Sequence, residues 1–337
     1  MTNNTTNNYF KSFGQRILSH DITDFEDFAL EIFKFQAQNN SVFRSYIDSR
    51  RIRISEIKQL DQIPFLPIGF FKNHDVISGD KEIFKKFYSS SGTTGVSTSR
   101  HYYWNEEFYL QHSLQLFELV YGPIENHHIL ALLPSYLERK GSSLVRMTDH
   151  LIQKSNSPHS GFYLYNHQDL VRKLEELKDD SRKVLLLGVT FALLDLAESG
   201  LKIPKNKNFF IMETGGMKGR RRELVREELH GFLKDAFHVD KVHSEYGMTE
   251  LMSQAYSQGG GKYNLPSTMH VLLRDINDPL SLTIRSQGGI NIIDLANFHS
   301  CAFIETQDLG KIMPDGSLEV LGRFDNSEIR GCNLMVN

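Results

Sequence analysis

Four short segments of the chain combine residue types that can hold a phosphate, a base, a ribose or a metal ion. The first runs Tyr88-Ser-Ser-Ser-Gly-Thr-Thr-Gly95. Ser89, Ser90, Ser91, Thr93 and Thr94 supply hydroxyls, while Gly92 and Gly95 let the backbone approach an anion. Successive N–H groups and hydroxyls in such a loop can cradle phosphate. It is not a Walker A loop, which needs a Lys before its Ser/Thr. On its own, a surface turn is an equal alternative. The second segment is His243-Ser-Glu-Tyr-Gly-Met-Thr-Glu250. Tyr246 offers a ring to stack on a base, Gly247 a small residue, Thr249 a hydroxyl, and Glu250 a carboxylate for hydrated Mg²⁺. Taken singly, a core Tyr and a solvated Glu at a strand end is the plainer reading. In the third, Glu305-Thr-Gln-Asp-Leu-Gly310, Asp308 follows a strand and can accept hydrogen bonds from ribose hydroxyls; the alternative is an ordinary turn Asp. The fourth, Gly322 to Cys332, surrounds a thiol with charges. Arg323 and Arg330 favour the thiolate of Cys332, and Asp325 and Glu328 oppose it. A small buried Cys in a terminal strand is the other reading.

Three further features stand beside these. Thr214-Gly-Gly-Met-Lys218 places Gly215 and Gly216 in a Gly-rich loop at a strand end. The basic run Lys218 to Arg222 falls where a helix over 220–237 is expected to start, against the dipole's preference for acids. That misfit suits phosphate contact or a solvated helix start. Cys301, following His299-Ser300, reads as core, because a His299–Cys301 dyad needs both residues on one strand face.

Alternating strands and helices position these segments. Phe25, Phe28, Ile32, Phe33, Phe35, Phe43 and Tyr46 recur at helical spacing, which makes residues 1–80 a helical lead-in. From Phe84 to Phe237, strands at 83–88, 128–133, 161–165, 183–187 and 208–213 alternate with helices at 105–121, 142–154, 168–178, 191–199 and 220–237. This pattern predicts an α/β core over 81–240 with a largely parallel sheet covered on both faces. Beyond Lys241 short strands dominate, at 269–273, 282–285, 289–295, 302–305 and 317–321. Residues 241–337 therefore read as a β-rich part, a small barrel or an appended sheet.

Composition sets limits. The 337 residues are 40% hydrophobic with formal net charge −3, ample for a large core and without an electrostatic reason to bind nucleic acid. Two cysteines and no CxxC pair argue against structural zinc or a disulfide framework. The polar N-terminus lacks signal-peptide character, and no apolar run approaches membrane-spanning length, so a soluble, cytoplasmic protein is expected.

The order SSGTTG, YGMTE, TxDLG and GRxD…RG resembles the adenylate-forming ligase superfamily, from Tyr88 to Cys332. That resemblance implies the superfamily's large-domain fold and ATP-dependent activation of a carboxylic acid with Mg²⁺. It implies that Ser89 to Gly95 cradle the phosphates and that Gly215 and Gly216 lie against adenine. Tyr246 then stacks on adenine, Thr249 meets the α-phosphate, Glu250 binds Mg²⁺, Asp308 holds the ribose and Arg323 reaches ribose or phosphate. A His at the place of His243 often lies near the acyl carboxylate in the superfamily; a satisfied strand-end His is the even alternative.

Two departures stand out. The loop continues Val96-Ser-Thr-Ser-Arg100 where the superfamily has a Pro and a Lys. The sequence also ends at Asn337, so the superfamily's mobile C-terminal domain and its catalytic lysine are expected to be absent, with Lys218 or Arg100 as substitute cations. Within the superfamily the chain is similar to the acyl-protein synthetase (LuxE) family. The similarity lies in the stretch Ile63 to Lys72, the loop Gly215 to Lys218 and Gly331-Cys-Asn-Leu334. In that family the Gly-Cys thiol takes the acyl group, which makes Cys332 the candidate nucleophile. A fatty acid substrate and an acyl-accepting reductase or carrier protein are implied. A stand-alone acyl- or aryl-CoA ligase, or a catalytically silent nucleotide-binding subunit, remain open beside it.

Overall fold

The computed structural model describes residues 3–90, 98–133, 141–215 and 224–323. Three helices lead in: α1 (Asn3–Leu18), α2 (Phe25–Asn39) and α3 (Ser41–Ser49). Asp24 caps α2 through Asp27 N–H, and Asn40 caps α3 through Phe43 N–H. A short strand β1 (Leu66–Pro67) and helix α4 (Phe70–Asn73) follow. The hairpin β2 (Lys86–Ser89) and β3 (Arg100–Tyr103) then brackets the Ser/Thr/Gly loop.

The α/β core runs α5 (Glu106–Tyr121), β4 (His127–Leu132), α6 (Ser143–Lys154), β5 (Gly161–Tyr163), α7 (His167–Glu176), β6 (Lys183–Val189), α8 (Thr190–Ala197), β7 (Phe209–Thr214), α9 (Arg226–Phe237) and β8 (Val242–Tyr246). The sheet order is β5-β4-β6-β7-β8, all parallel, with β9 (Ala255–Ser257) antiparallel at the edge. Strands buried on both faces need unbroken apolar runs. Ile129, Leu185, Leu187 and Met212 enter the core shared with α5 and the lead-in helices. The alternate residues Leu130, Leu132, Val184, Leu186 and Ile211 pack under α7, α8 and α9.

A second, antiparallel sheet follows: β10 (Lys262–Tyr263), β11 (Met269–Arg274), β12 (Gln287–Asp294), β13 (Phe303–Ile312) and β14 (Leu318–Arg323). Its order is β10-β14-β13-β12-β11, and β1 joins it parallel to β13. The lead-in is thus tied to the end of the chain, with Leu66 opposite Ile304.

Three expectations change. β8 and β9 belong to the first sheet, so the shift in sequence texture near Lys241 precedes the change of sheet. Residues 282–285 are not a strand; Leu282 makes one isolated bridge to Arg274, and Ile284 is fully exposed with no face to bury. Helix α9 begins at Arg226, and its first turn carries Glu227 and Glu228. Acids, not the basic run, therefore meet the helix dipole.

Candidate active site

Tyr246 ends β8, and its hydroxyl donates to Asp308 Oδ2 at 2.8 Å. Both residues are buried, at 8% and 5% exposure. This contact joins the two sheets. Directly across from Asp308 on β14, Arg323 donates from Nε to Asp308 Oδ1 at 3.3 Å, with its side chain 77% exposed. The strand fixes Asp308 through Thr306. Its hydroxyl donates to Ile290 O at 2.8 Å and accepts from Asp308 N–H at 3.1 Å. The Thr two residues before the Asp is thus a local brace.

The β2–β3 hairpin forms the opposite wall. Ser90 N–H donates to Ser99 O at 3.1 Å, and Ser99 N–H donates to Ser90 Oγ at 2.9 Å. This two-way pairing closes the base of the loop. Ser89 N–H donates to Gly141 O at 2.8 Å. The Ser99 side chain hydrogen-bonds Glu250, so the loop base and the Glu250 carboxylate touch. Glu250 is 6% exposed. Burial pushes its carboxyl above the ordinary range, while Ser99, Arg323 and Lys72 pull it back. A buried carboxylate beside hydroxyls is a hard oxygen donor set, and bringing it to full charge calls for a cation. These residues fit Mg²⁺. Among the described residues no group of three or more His, Cys, Asp or Glu could hold a metal by itself. One carboxylate suits a largely hydrated ion.

Gly215 lies at the end of β7, beside Tyr246, because Thr214 pairs with Glu245 across β7–β8. Thr190 Oγ1 donates to Gly215 O at 2.6 Å and also lies 3.0 Å from Glu213 Oε2. The Thr214 hydroxyl donates to Glu245. Glu245 is fully enclosed, and burial, reinforced by nearby Glu213, raises its carboxyl to about 7. This explains Gly247: any side chain there would run into the Glu245 carboxyl.

Ser89, Ser90, Gly215, Tyr246, Gly247, Thr249, Glu250, Asp308 and Arg323 therefore converge. His243 does not. It stands at the start of β8, about 10 Å along the strand from Tyr246 at three residues' rise. There it lies within 3.2 Å of the Tyr121 hydroxyl through Nδ1 and packs on Phe210. Burial, then Lys241 and Lys183, lowers it to about 4. His243 thus stands apart from the other named residues, at the opposite end of β8 from Tyr246. Arg100 pairs with Asp75 at 3.2 Å on the flank of the hairpin. Cys301 is core: its thiol donates to Phe303 O at 3.4 Å, and burial lifts it to about 12. His299 stacks on His101 at 5.7 Å rather than partnering that thiol. Ser91, Gly92, Thr93, Thr94, Gly95, Gly216, Lys218 and Cys332 lie outside the described residues.

Sequence reasoning missed Ser99, His101, Glu245, Asp294 and Asn297. Only Asp294-x-x-Asn297 carried a signal, as a helix cap after an apolar strand.

No family model matches the chain. It is similar to the long-chain-fatty-acid–luciferin-component ligase of Aliivibrio fischeri, at 21% identity over 339 residues, covering 90% of this chain and 85% of the relative. Among solved structures, 2-hydroxyisobutyryl-CoA ligase in its postadenylation state with 2-HIB-AMP superposes with TM-score 0.64 and 11% identity, over 93% of this chain and 68% of that one. This is the adenylate-forming ligase fold. ATP-bound MatB from Rhodopseudomonas palustris shares it with TM-score 0.52 and 17% identity, over 73% of this chain and 49% of that one, so the match spans about half of MatB. The similarity to that Aliivibrio fischeri ligase thus runs along nine-tenths of the chain. Among the described residues, no helix of the adenylate-forming fold here is long and apolar enough to cross a membrane.

Proposed function

We propose that this protein activates a long-chain fatty acid with ATP and passes the acyl group to its own Cys332, and from there to a partner protein. The observation that carries the reading is the meeting of Ser90, Ser99, Glu250, Tyr246, Asp308 and Arg323, drawn from four distant segments, through the contacts Ser90–Ser99–Glu250 and Tyr246–Asp308–Arg323. The similarity to a fatty-acid ligase supports the substrate class.

In this reading the acid's carboxylate oxygen attacks the α-phosphorus of ATP. The bond to the bridging oxygen breaks, and pyrophosphate leaves. The Cys332 thiolate then attacks the acyl carbonyl and AMP departs, giving a thioester. The partner would be a reductase or carrier protein with a nucleophile to receive the acyl group. The chain's own residues do positional work. Asp308 holds the ribose, Tyr246 and the Gly215–Gly216 loop flank adenine, and the hydroxyl loop Ser89 to Gly95 holds phosphate. Thr249 meets the α-phosphate, and Arg323 places a positive charge over Asp308's edge. Glu250 would hold Mg²⁺, which neutralises charge on the phosphates. Lys218 remains a proposed phosphate contact. Lys72, exposed and near Glu250, is a second cation on this rim.

Intact-protein mass spectrometry after incubation with ATP, Mg²⁺ and a mixture of fatty acids tests the relay. A hydroxylamine-sensitive acyl adduct on Cys332 is expected. Cys332→Ser should abolish it while fatty-acid-dependent pyrophosphate release continues. CoA-dependent AMP formation that survives Cys332→Ser would instead establish a CoA ligase, the activity for which 2-hydroxyisobutyryl-CoA ligase of the same fold is named.

A further inference from the structure

Thr249 and Glu250 sit on a segment, 247–253, that leaves β8 without regular structure. A loop carrying a metal-binding carboxylate needs something to hold its backbone. Here the holders are buried side chains from elsewhere. His101 Nδ1 lies 2.7 Å from Thr249 O. Asn297 Nδ2 donates to Glu250 O at 2.8 Å. His101 Nε2 also lies 2.9 Å from the Asn297 amide oxygen, and the ring, kept neutral by burial, has one N–H to give to one of these two oxygens. Farther along, Asp294 Oδ2 accepts from Met252 N–H at 2.7 Å and Ser253 N–H at 3.0 Å, and Asp294 Oδ1 accepts from Ser253 Oγ at 2.7 Å. His101, Asp294 and Asn297 are all wholly buried.

Their origins matter as much as their contacts. His101 lies on β3, opposite Tyr88, one residue from the hairpin pair Ser89–Arg100 that opens the phosphate loop. Its ring is wedged between Phe71, edge-on at 5.7 Å, and His299, stacked at 5.7 Å. Asp294 and Asn297 frame the one-turn helix that ends β12. Gln36 of α2 secures that turn by donating to Asn297 O at 3.0 Å. The anchors thus tie the Glu250 backbone to the phosphate-loop hairpin on one side and to the second sheet on the other. Burying three polar side chains costs desolvation that an apolar packing would avoid. A fixed geometry for the segment is what they return.

We infer that His101 and Asn297 are positioning residues for Glu250: by clamping the carbonyls of Thr249 and Glu250, they keep the Glu250 carboxylate beside the Ser90–Ser99 loop base and so set how tightly Mg²⁺ binds with the nucleotide. This rests on the ATP-activating reading above. His101 and Asn297 touch neither nucleotide nor metal; they act through the backbone of the segment.

The test is ATP binding by titration calorimetry across a series of MgCl₂ concentrations, on wild type, Asn297→Ala and His101→Phe, a ring that keeps the stacking but cannot donate. Losing one such hydrogen bond should raise the Mg²⁺ concentration for half-maximal enhancement of ATP binding by roughly 5- to 20-fold. ATP affinity without Mg²⁺ should stay within about twofold of wild type. His101→Asn, which restores a donor, should recover part of the shift. Asn40→Ala is the control: it removes a buried amide donating to Ser300 O at 2.9 Å, with no bond to the segment. It should lower stability and leave the Mg²⁺ dependence unchanged. If Asn297→Ala does not fold, the isosteric Asn297→Asp, which lacks the donor, takes its place. Wild-type Mg²⁺ dependence in the folded anchor variants, or an equal shift in Asn40→Ala, would overturn the inference. A wild-type protein that binds no ATP at any Mg²⁺ concentration would overturn the underlying reading instead.

Discussion

The two sheets are held together in different ways. In the first sheet, β4 and β6 are apolar beyond their first residues, His127, His128 and Lys183, and Glu213 and Thr214 sit at the end of β7. The second sheet buries polar side chains mid-strand and at its turns: Arg274, Asn291, Asp294, Asn297, Thr306 and Asp308. Arg274, for example, donates to Ile290 O at 2.8 Å and Thr306 O at 2.6 Å, passing over Gly289, where a side chain would collide with it. Hydrophobic burial is non-directional, so it makes a stable platform without fixing any one atom. Hydrogen bonds are directional, and the second sheet uses them to aim Asp308 and the segment carrying Glu250. The first sheet lends its strand ends; the second sheet sets angles.

Substitutions can break or sharpen this contrast. The largest effect is expected for Asp294→Ala, which leaves the buried N–H groups of Met252, Ser253 and Ala296 without their acceptor. At about 1–3 kcal/mol per orphaned group, partly relaxed, the loss should be on the order of 4 kcal/mol in urea unfolding. Nucleotide affinity should fall with it. Leu186→Ala, in the first sheet, should cost about 3 kcal/mol yet leave the ATP affinity of the folded protein unchanged. A large affinity loss there would erase the distinction between platform and aiming device.

Glu245 gives a pH signature to the first sheet's strand ends. Its folded-state carboxyl, raised to about 7 from an ordinary 4.5, binds protons better than the unfolded chain does. Its favourable contribution is therefore complete below pH 4.5 and lost as pH rises to about 7. The fall should be roughly 2–3 kcal/mol, and Glu245→Gln should flatten it. Comparing urea midpoints of the two proteins from pH 4.5 to 8 checks this. Smaller still, Asp308→Asn keeps an acceptor for Tyr246 but loses charge, and should weaken ATP binding about tenfold with under about 1 kcal/mol of stability change. Arg323→Ala should change stability by less than about 1 kcal/mol, since its side chain is largely in water.

Legibility in the sequence followed the same division. Helix α5 was readable over 105–121, and the Asn105 side chain does cap it at Glu107 N–H. The strands of the first sheet were readable from apolar runs such as 183–187, which the structure extends to Val189. The four motifs were visible because they concentrate unusual residue types over a few positions. What holds them was not. His101, Asp294 and Asn297 lie 41 to 148 residues from the groups they clamp, from Asp294–Ser253 at 41 to His101–Thr249 at 148. Nothing local marks such pairs. His243 shows the same limit: adjacency to Tyr246 in sequence becomes separation along β8. The residues 282–285 were misread as strand because their local alternation had no buried face to serve.

The most direct test of the central reading is ATP–pyrophosphate exchange with Mg²⁺, with and without a long-chain fatty acid. The account predicts exchange that depends on the acid, persists in Cys332→Ser and is lost in Glu250→Ala. Acid-independent exchange, or none with any fatty acid while ATP still binds, would contradict it.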